Sequence, residues 1–381
     1  MSLKARMVII LMLTSSGLFS QEVKTENIVI VTLDGYRWNE LFKGADPKII
    51  QSGRYVQDQQ VRLEFGGETE GEKRSKLMPF MWNVVARQGQ LYGNRRHRNK
   101  VNCVNNHLLS YPGYSEMLVG FLERSVSSNE KKVNPNATVL EFIHGHQAFH
   151  KKVVAFGTWD TFPYIFREQK ADFLVNAGKE FAEGNISPAE RRVNAQLGEA
   201  LIRTDEHTFN FAFEYLKRER PRVMFIGFDG TDHHAHGGRY DQYLRSAHRI
   251  DEMLRELWNW LQSEPAYMDR TTLLITTDHG RGHGRHSWKH HRLFARGSRQ
   301  IWMAVIGPDT PAFGELKFRG KHYQKQVAKT VAAFLGLNYR PKREPGEIIH
   351  TMIAVPEPTS SESFTKPSST DQLFLKAGDE R

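Results

Sequence analysis

Five short apolar runs punctuate the chain: NIVIVTL at 27–33, KVVAFG at 152–157, RVMFIGF at 222–228, TLLITT at 272–277 and IWMAVIG at 301–307. Each is nearly continuous rather than alternating, the pattern of a parallel strand buried on both faces. Between them the period lengthens. In 239–261, Leu244, Ala247, Ile250, Leu254, Leu257 and Leu261 recur at spacings of three and four, the apolar stripe of an amphipathic helix. Strands alternating with helices predict an α/β fold, a central mostly parallel sheet with helices on both faces.

The polar residues that follow the runs matter as much as the runs. The first leads into Asp34, the third into Asp229 and Asp232, and the fourth into Asp278 and His279. Ligands of open α/β sheets bind beyond the carboxyl ends of the strands, so three strands are expected to deliver acids and an imidazole to one edge. The stretches 40–100 and 160–220 are charged and show no clear strand, and are expected to be peripheral helices and loops roofing that edge. From 355 to 381 the chain is rich in Ser, Thr and Pro with little to bury, which predicts a disordered tail. No internal repeat is visible.

At 381 residues, with 39% hydrophobic and 25% charged residues, the chain can bury a large core. Residues 1–20 have the form of an export signal, with Lys4 and Arg6 before the apolar stretch MVIILML and a small Ser20 before Gln21. That stretch is short for a membrane anchor, and no other is long enough to span, so a protein exported to the periplasm or medium is expected, its folded body at 21–354. The single cysteine, Cys103, excludes an internal disulfide and a thiolate metal cluster. The net charge of +10 suits anionic ligands. The basic run RRHRNK at 95–100 comes with no zinc-finger, helix-turn-helix or RNA-binding signature, so a solvated or substrate-steering face is the expectation, and no specific nucleic-acid partner.

Chemistry concentrates in TDHHAHGG at 231–238, where Asp232 and His236 stand four apart on one face of a helical turn. With Asp278 and His279, these N and O donors suit zinc or another borderline divalent ion. In LLSYPGYSEML at 108–118, Ser110 precedes a turn expected at Pro112 and Gly113, with a helix beyond whose positive end favours an anion.

Taken in order, VTLDGYRW, SYPGYSEMLVG, DGTDHHAHG, TTDHGRG and a later His resemble the alkaline phosphatase superfamily, and within it the nucleotide pyrophosphatase/phosphodiesterase-like branch, over about 27–307. The resemblance implies an alkaline-phosphatase-like sheet with insertions over the active-site edge, and a hydrolase of phosphoric esters, monoester or diester. It implies two divalent ions, usually zinc. Asp34, Ser110, Asp278 and His279 would hold one; Asp232, His236 and a distal His would hold the other. Ser110 aligns with the nucleophile and would form a phosphoseryl intermediate. His233 and His234 do not match the pattern and are read as lining the cleft; Asp229 is read as structural. For the distal ligand, a Trp with His three residues later selects His291 after Trp288, while His283, His286 and His290 are the alternatives. The related phosphodiesterases place an Asn about twenty residues past the nucleophile. Here Asn129, Asn134 and Asn136 compete with Asn106, which precedes the nucleophile and stands as the candidate substrate contact.

Sulfatases share the fold, but their nucleophile motif needs Arg where Tyr114 stands. A metal-binding protein without turnover would show a damaged ligand position, and none is damaged. The partner expected is a small phosphate ester; the spacing says nothing of the oligomeric state.

Overall fold

The computed structural model describes residues 23–354; the expected export signal and the expected tail lie outside the described residues. Eleven strands form two sheets: β1 (Asn27–Leu33), β2 (Gln90–Tyr92), β3 (Asn99–Asn102), β4 (Val153–Gly157), β5 (Leu174–Ala177), β6 (Val223–Phe228), β7 (Thr271–Thr276), β8 (Gln300–Ile301), β9 (Met303–Ile306), β10 (Gly314–Glu315) and β11 (Gly320–Tyr323). The larger sheet has eight strands in the order β10-β2-β9-β7-β1-β6-β4-β5, and the smaller has the order β11-β3-β8. The stretch from β7 to β5 is parallel throughout.

β1 explains why the apolar runs are continuous. It is central, every residue is buried, and alternate side chains enter opposite faces: Val29, Val31 and Leu33 one core, Ile28 and Ile30 the other. The first core receives the helix Tyr240–Ser263 through Leu244, Ala247, Ile250, Leu254, Leu257 and Leu261. The second receives the helix Ser110–Val119 through Tyr111, Tyr114, Met117 and Leu118. Sequestering two apolar faces in this way is the main driving force for the layering.

Two expectations change. The run at 301–307 is a strand, but it pairs antiparallel with β7 and with β2. The chain leaves β7 at the carboxyl edge and the 277–299 segment stays there, so the next strand runs back; apolar periodicity carries no direction. The stretches 40–100 and 160–220 also contain β2 and β5, which belong to the central sheet. At three and four residues these strands are too short to show a period.

Candidate active site at the carboxyl edge of the sheet

β6, β1 and β7 lie side by side, with Leu33 in register with Phe228 and Thr32 with Thr276. Their ends therefore bring Asp34, Asp229, Asp232, Asp278 and His279 to one place. Just past β1 the chain turns at Gly35, whose φ of +59° suits glycine. The Gly35 N–H donates to Asp278 Oδ1 at 3.0 Å, tying the ends of β1 and β7 together.

Ser110 is the first residue of the helix Ser110–Val119, so Pro112 and Gly113 are helical, not a separate turn. Proline is tolerated there because first-turn N–H groups have no helical partner. Gly113 lets the helix press against β7: a Cβ would come within 2.4 Å of the Asp278 carbonyl oxygen. That close approach sets Ser110 Oγ 3.4 Å from His279 Nε2.

Asp34 Oδ1 and Asp278 Oδ2 each lie 3.5 Å from His279 Nε2. Both oxygens are buried and have no hydrogen-bond partner. His279 Nδ1 lies 3.0 Å from the Gly280 carbonyl, which can only accept, so the proton sits on Nδ1 and Nε2 presents a lone pair. Three acceptors and a serine hydroxyl thus converge with no donor among them but that hydroxyl. A divalent cation fits that donor set, and hard oxygen with imidazole nitrogen is a zinc-compatible mixture.

Beside it, His236 Nε2 is 3.1 Å from Asp232 Oδ2 and 3.0 Å from His291 Nε2. His291 Nδ1 donates to the Leu108 carbonyl at 2.7 Å, which again turns Nε2 toward the cluster. The rings of His279 and His291 stack at 4.0 Å. Asp232, His236 and His291 form one group whose ligand atoms lie within 4.8 Å of one another, and Asp34, Asp278 and His279 form a second. Asp34, Asp229 and Asp232 form a third, so Asp229 joins the carboxylate cluster.

Burial governs the electrostatics. It pushes Asp34 well above the usual carboxylate range, helped by Asp278 and Asp232, and Asp278 up to about 7. It pushes His279 far down and His291 to about 4. Asp232 goes the other way: burial raises it, but the Arg281 guanidinium and His236 outweigh burial and hold it well below the usual range. Without a cation, desolvated carboxylates and neutral imidazoles face each other, and a divalent ion would relieve both.

The other candidates separate cleanly. His286 Nδ1 contacts the Tyr55 hydroxyl at 2.9 Å, His283 packs edge-on to Trp38, and neither belongs to a ligand group. Asn106 Oδ1 accepts from Arg299 at 2.8 Å. Asn134 Nδ2 donates to Ser115, and Asn136 Nδ2 to Glu123. Asn129 Oδ1 accepts from the backbone N–H of Tyr111 at 3.0 Å, next to Ser110. His233 and His234 line a cavity of about 610 Å³ with Thr158, Trp159, Arg203 and Asp229, which reaches the carboxylate cluster through Asp229. Arg281, which lies within TTDHGRG but was given no role there, is buried and contacts Asp232.

Residues 81–360 match the family described as type I phosphodiesterase / nucleotide pyrophosphatase. The match begins after β1, so Asp34 enters the site through the fold. None of the curated proteins matches the chain. Among solved structures, wild-type alkaline phosphatase PafA is similar with a TM-score of 0.55 at 10% identity, over 87% of this chain and 99% of that one. An inactive murine ectonucleotide pyrophosphatase/phosphodiesterase 5 in complex with AMP gives 0.52 at 10% identity, over 86% and 100%. A putative sulfatase from Bacteroides thetaiotaomicron gives 0.52 at 14%, over 86% and 74%. These likenesses establish an alkaline-phosphatase-like fold, and with the family match they make the protein a hydrolase of that superfamily. The chain belongs to the type I phosphodiesterase/nucleotide pyrophosphatase family.

Proposed function

We propose that the protein is an exported, metal-dependent hydrolase of phosphoric esters that acts through a phosphoserine on Ser110. One observation carries this reading: Ser110 Oγ opens a helix and stands 3.4 Å from His279 Nε2, beside the two partnerless oxygens Asp34 Oδ1 and Asp278 Oδ2. Asp34, Ser110, Asp278 and His279 would hold one divalent ion, and Asp232, His236 and His291 the other. When bound, such a pair lowers the pKa of the serine hydroxyl and offsets charge on the oxygens of an in-line displacement.

Ser110 Oγ attacks phosphorus, an Oγ–P bond forms, and the bond to the leaving oxygen breaks. The leaving oxygen takes a proton from solvent. Water then attacks the phosphoserine, phosphate or its monoester departs, and Ser110 recovers its proton. Asn129 accepts from Tyr111 N–H, which leaves its amide nitrogen to donate to a phosphoryl oxygen, a role that replaces the one expected of Asn106. The cavity of about 610 Å³ lined by Asp229, a member of the carboxylate cluster, is the space we assign to the leaving group. The match to the phosphodiesterase family favours a diester. Sulfate esters fit less well, because Tyr114 stands where the sulfatase motif has Arg and its hydroxyl lies 3.3 Å from Asp34 Oδ2.

The test is metal content together with hydrolysis of bis-p-nitrophenyl phosphate and p-nitrophenyl phosphate, before and after chelation. About two zinc per chain, chelator-sensitive release and a diester rate above the monoester rate are expected. Wild-type turnover in Ser110→Ala would overturn the nucleophile, and a faster monoester rate would overturn the diester reading.

A further inference from the structure

The smaller sheet is assembled from three segments of the chain that contain no acid. No Asp or Glu stands between Glu72 and Glu116, between Asp278 and Asp309, or between Glu315 and Glu344, and these intervals hold β3, β8 and β11. Lys100 and Lys321 are paired in register on neighbouring parallel strands, so two exposed ammonium groups share one face. Like charges directly opposite each other destabilise a sheet. Among the described residues none of Arg98, Lys100, Lys317, Arg319 and Lys321 makes an ion pair, whereas Arg96, two residues before Arg98, is paired with Glu70.

Exposed apolar side chains stand within the same basic segments. Phe294 is 95% exposed and Leu293 57%, between Arg292 and Arg296; Phe318 is 49% exposed, between Lys317 and Arg319. In both places cations bracket a large apolar group held out to solvent. The two loops enter the sheet at opposite ends of β3, because β11 pairs parallel with it from Asn99 and β8 antiparallel from Asn102. The lysine pair lies between them. Arg292 also follows His291 directly, so the face borders the active site.

We propose that this face is a docking surface for an anionic lipid bilayer. Unpaired cations on three acid-free strand segments complement the headgroup charge, each worth about fivefold in partitioning. The bracketed Phe294 and Phe318 complement the boundary between headgroups and acyl chains. A free polyanion would satisfy the cations but leave Leu293, Phe294 and Phe318 in water, which is why a lipid surface is the better match.

The test is co-sedimentation of the full chain with vesicles of phosphatidylcholine alone and of equimolar phosphatidylcholine and phosphatidylglycerol. Binding to the anionic vesicles only is expected, weakening as salt rises. Lys100→Glu with Lys321→Glu should weaken it at least tenfold, and Phe294→Ser with Phe318→Ser about tenfold, with melting curves unchanged. If the reversed pair melts early, Lys100→Gln with Lys321→Gln should still show a loss of severalfold. No binding to anionic vesicles, binding indifferent to the lysine changes, or binding indifferent to the phenylalanine changes would each overturn the proposal. So would binding to a single-stranded oligonucleotide that is tighter than binding to the anionic vesicles and indifferent to the phenylalanine changes.

Discussion

Arg281 Nη1 donates to Oδ1 of Asp232, and the rest of the guanidinium donates to two backbone carbonyls, Nε to Trp288 at 3.0 Å and Nη2 to Lys289 at 2.6 Å. One buried side chain therefore ties the helix that carries Asp232 and His236 to the segment that carries His291. It also leaves Asp232 Oδ2 facing the two imidazoles.

A role in positioning has a signature that a role as a bare charge does not. Arg281→Lys keeps the charge but cannot span both carbonyls and Asp232. It should lose metal affinity by about 10–100-fold at the His291 group, the usual cost of removing an outer-shell partner, while the Asp278 group keeps its ion. Metal titration of the purified variant reads this directly. Wild-type affinity in Arg281→Lys would mean that charge alone is what Asp232 needs.

The packing of Gly113 leads to a second expectation. Adding one methyl group forces the helix Ser110–Val119 away from the Asp278 carbonyl, which a Cβ would approach to 2.4 Å. Gly113→Ala should cost about 1–3 kcal/mol of stability, the usual range for overpacking. It should also lower turnover more than its stability loss implies, because Ser110 moves with the helix. Chemical denaturation and steady-state kinetics on the same preparation separate the two effects; a stable variant with unaltered turnover would show that the contact does not position Ser110.

How legible this site was depends on which kind of residue is asked about. Asp34, Asp232, Asp278 and His279 were readable because a buried parallel strand is a long apolar run, and the first polar residue beyond it marks the carboxyl edge. Ser110 and His291 were readable only as members of an ordered set of motifs. The direction of β9 and the existence of β2 and β5 were not readable, since three or four residues establish neither period nor polarity. Asn129 was in view only as one of several asparagines at a suitable distance from Ser110, and spacing alone did not rank them. Arg281 was hidden for another reason: its contact is with a distant segment, the helix of Asp232, and nothing in the local sequence distinguishes a buried arginine from a solvated one.

Metal removal should be felt most at high pH. Burial raises Asp34 and Asp278 in the metal-free site, Asp278 to about 7. A carboxyl group raised by folding contributes stability below its unfolded pKa and loses it as pH climbs through the folded value. The metal-free protein should therefore weaken from about pH 4 to pH 7, and added zinc should raise the melting temperature more at pH 8 than at pH 5. Melting curves with and without chelator test this; a zinc effect that shrinks with rising pH would contradict the carboxylate site.

Asp251 offers the same logic away from the site. It lies buried on the helix Tyr240–Ser263 and accepts from the N–H groups of Phe80 at 2.7 Å and Met81 at 3.0 Å, yet burial still pushes its carboxyl up to about 7. Its contribution is complete below about pH 4 and falls by about 4 kcal/mol as pH passes 7, an order-of-magnitude figure from the size of the rise. Asp251→Asn removes the titration. The stability gap between wild type and variant should narrow steadily from pH 4 to pH 8, and a constant gap would mean that the carboxylate titrates normally.

The last expectation distinguishes the two asparagines. Asn129 Oδ1 is held by the Tyr111 N–H beside Ser110, whereas Asn106 Oδ1 is held by Arg299. If Asn129 donates to a phosphoryl oxygen, Asn129→Ala removes an interaction that strengthens as charge develops, and kcat should fall by about 10²–10³-fold with metal content intact. Asn106→Ala should change kcat by less than about tenfold, since it releases only an exposed arginine contact. Because Asn129 also caps the start of the Ser110 helix, Asn129→Asp is the informative partner. It keeps the Tyr111 bond and loses the donor, so a kcat loss as large as that of Asn129→Ala assigns the effect to the donor. Recovery in Asn129→Asp would assign it to the cap.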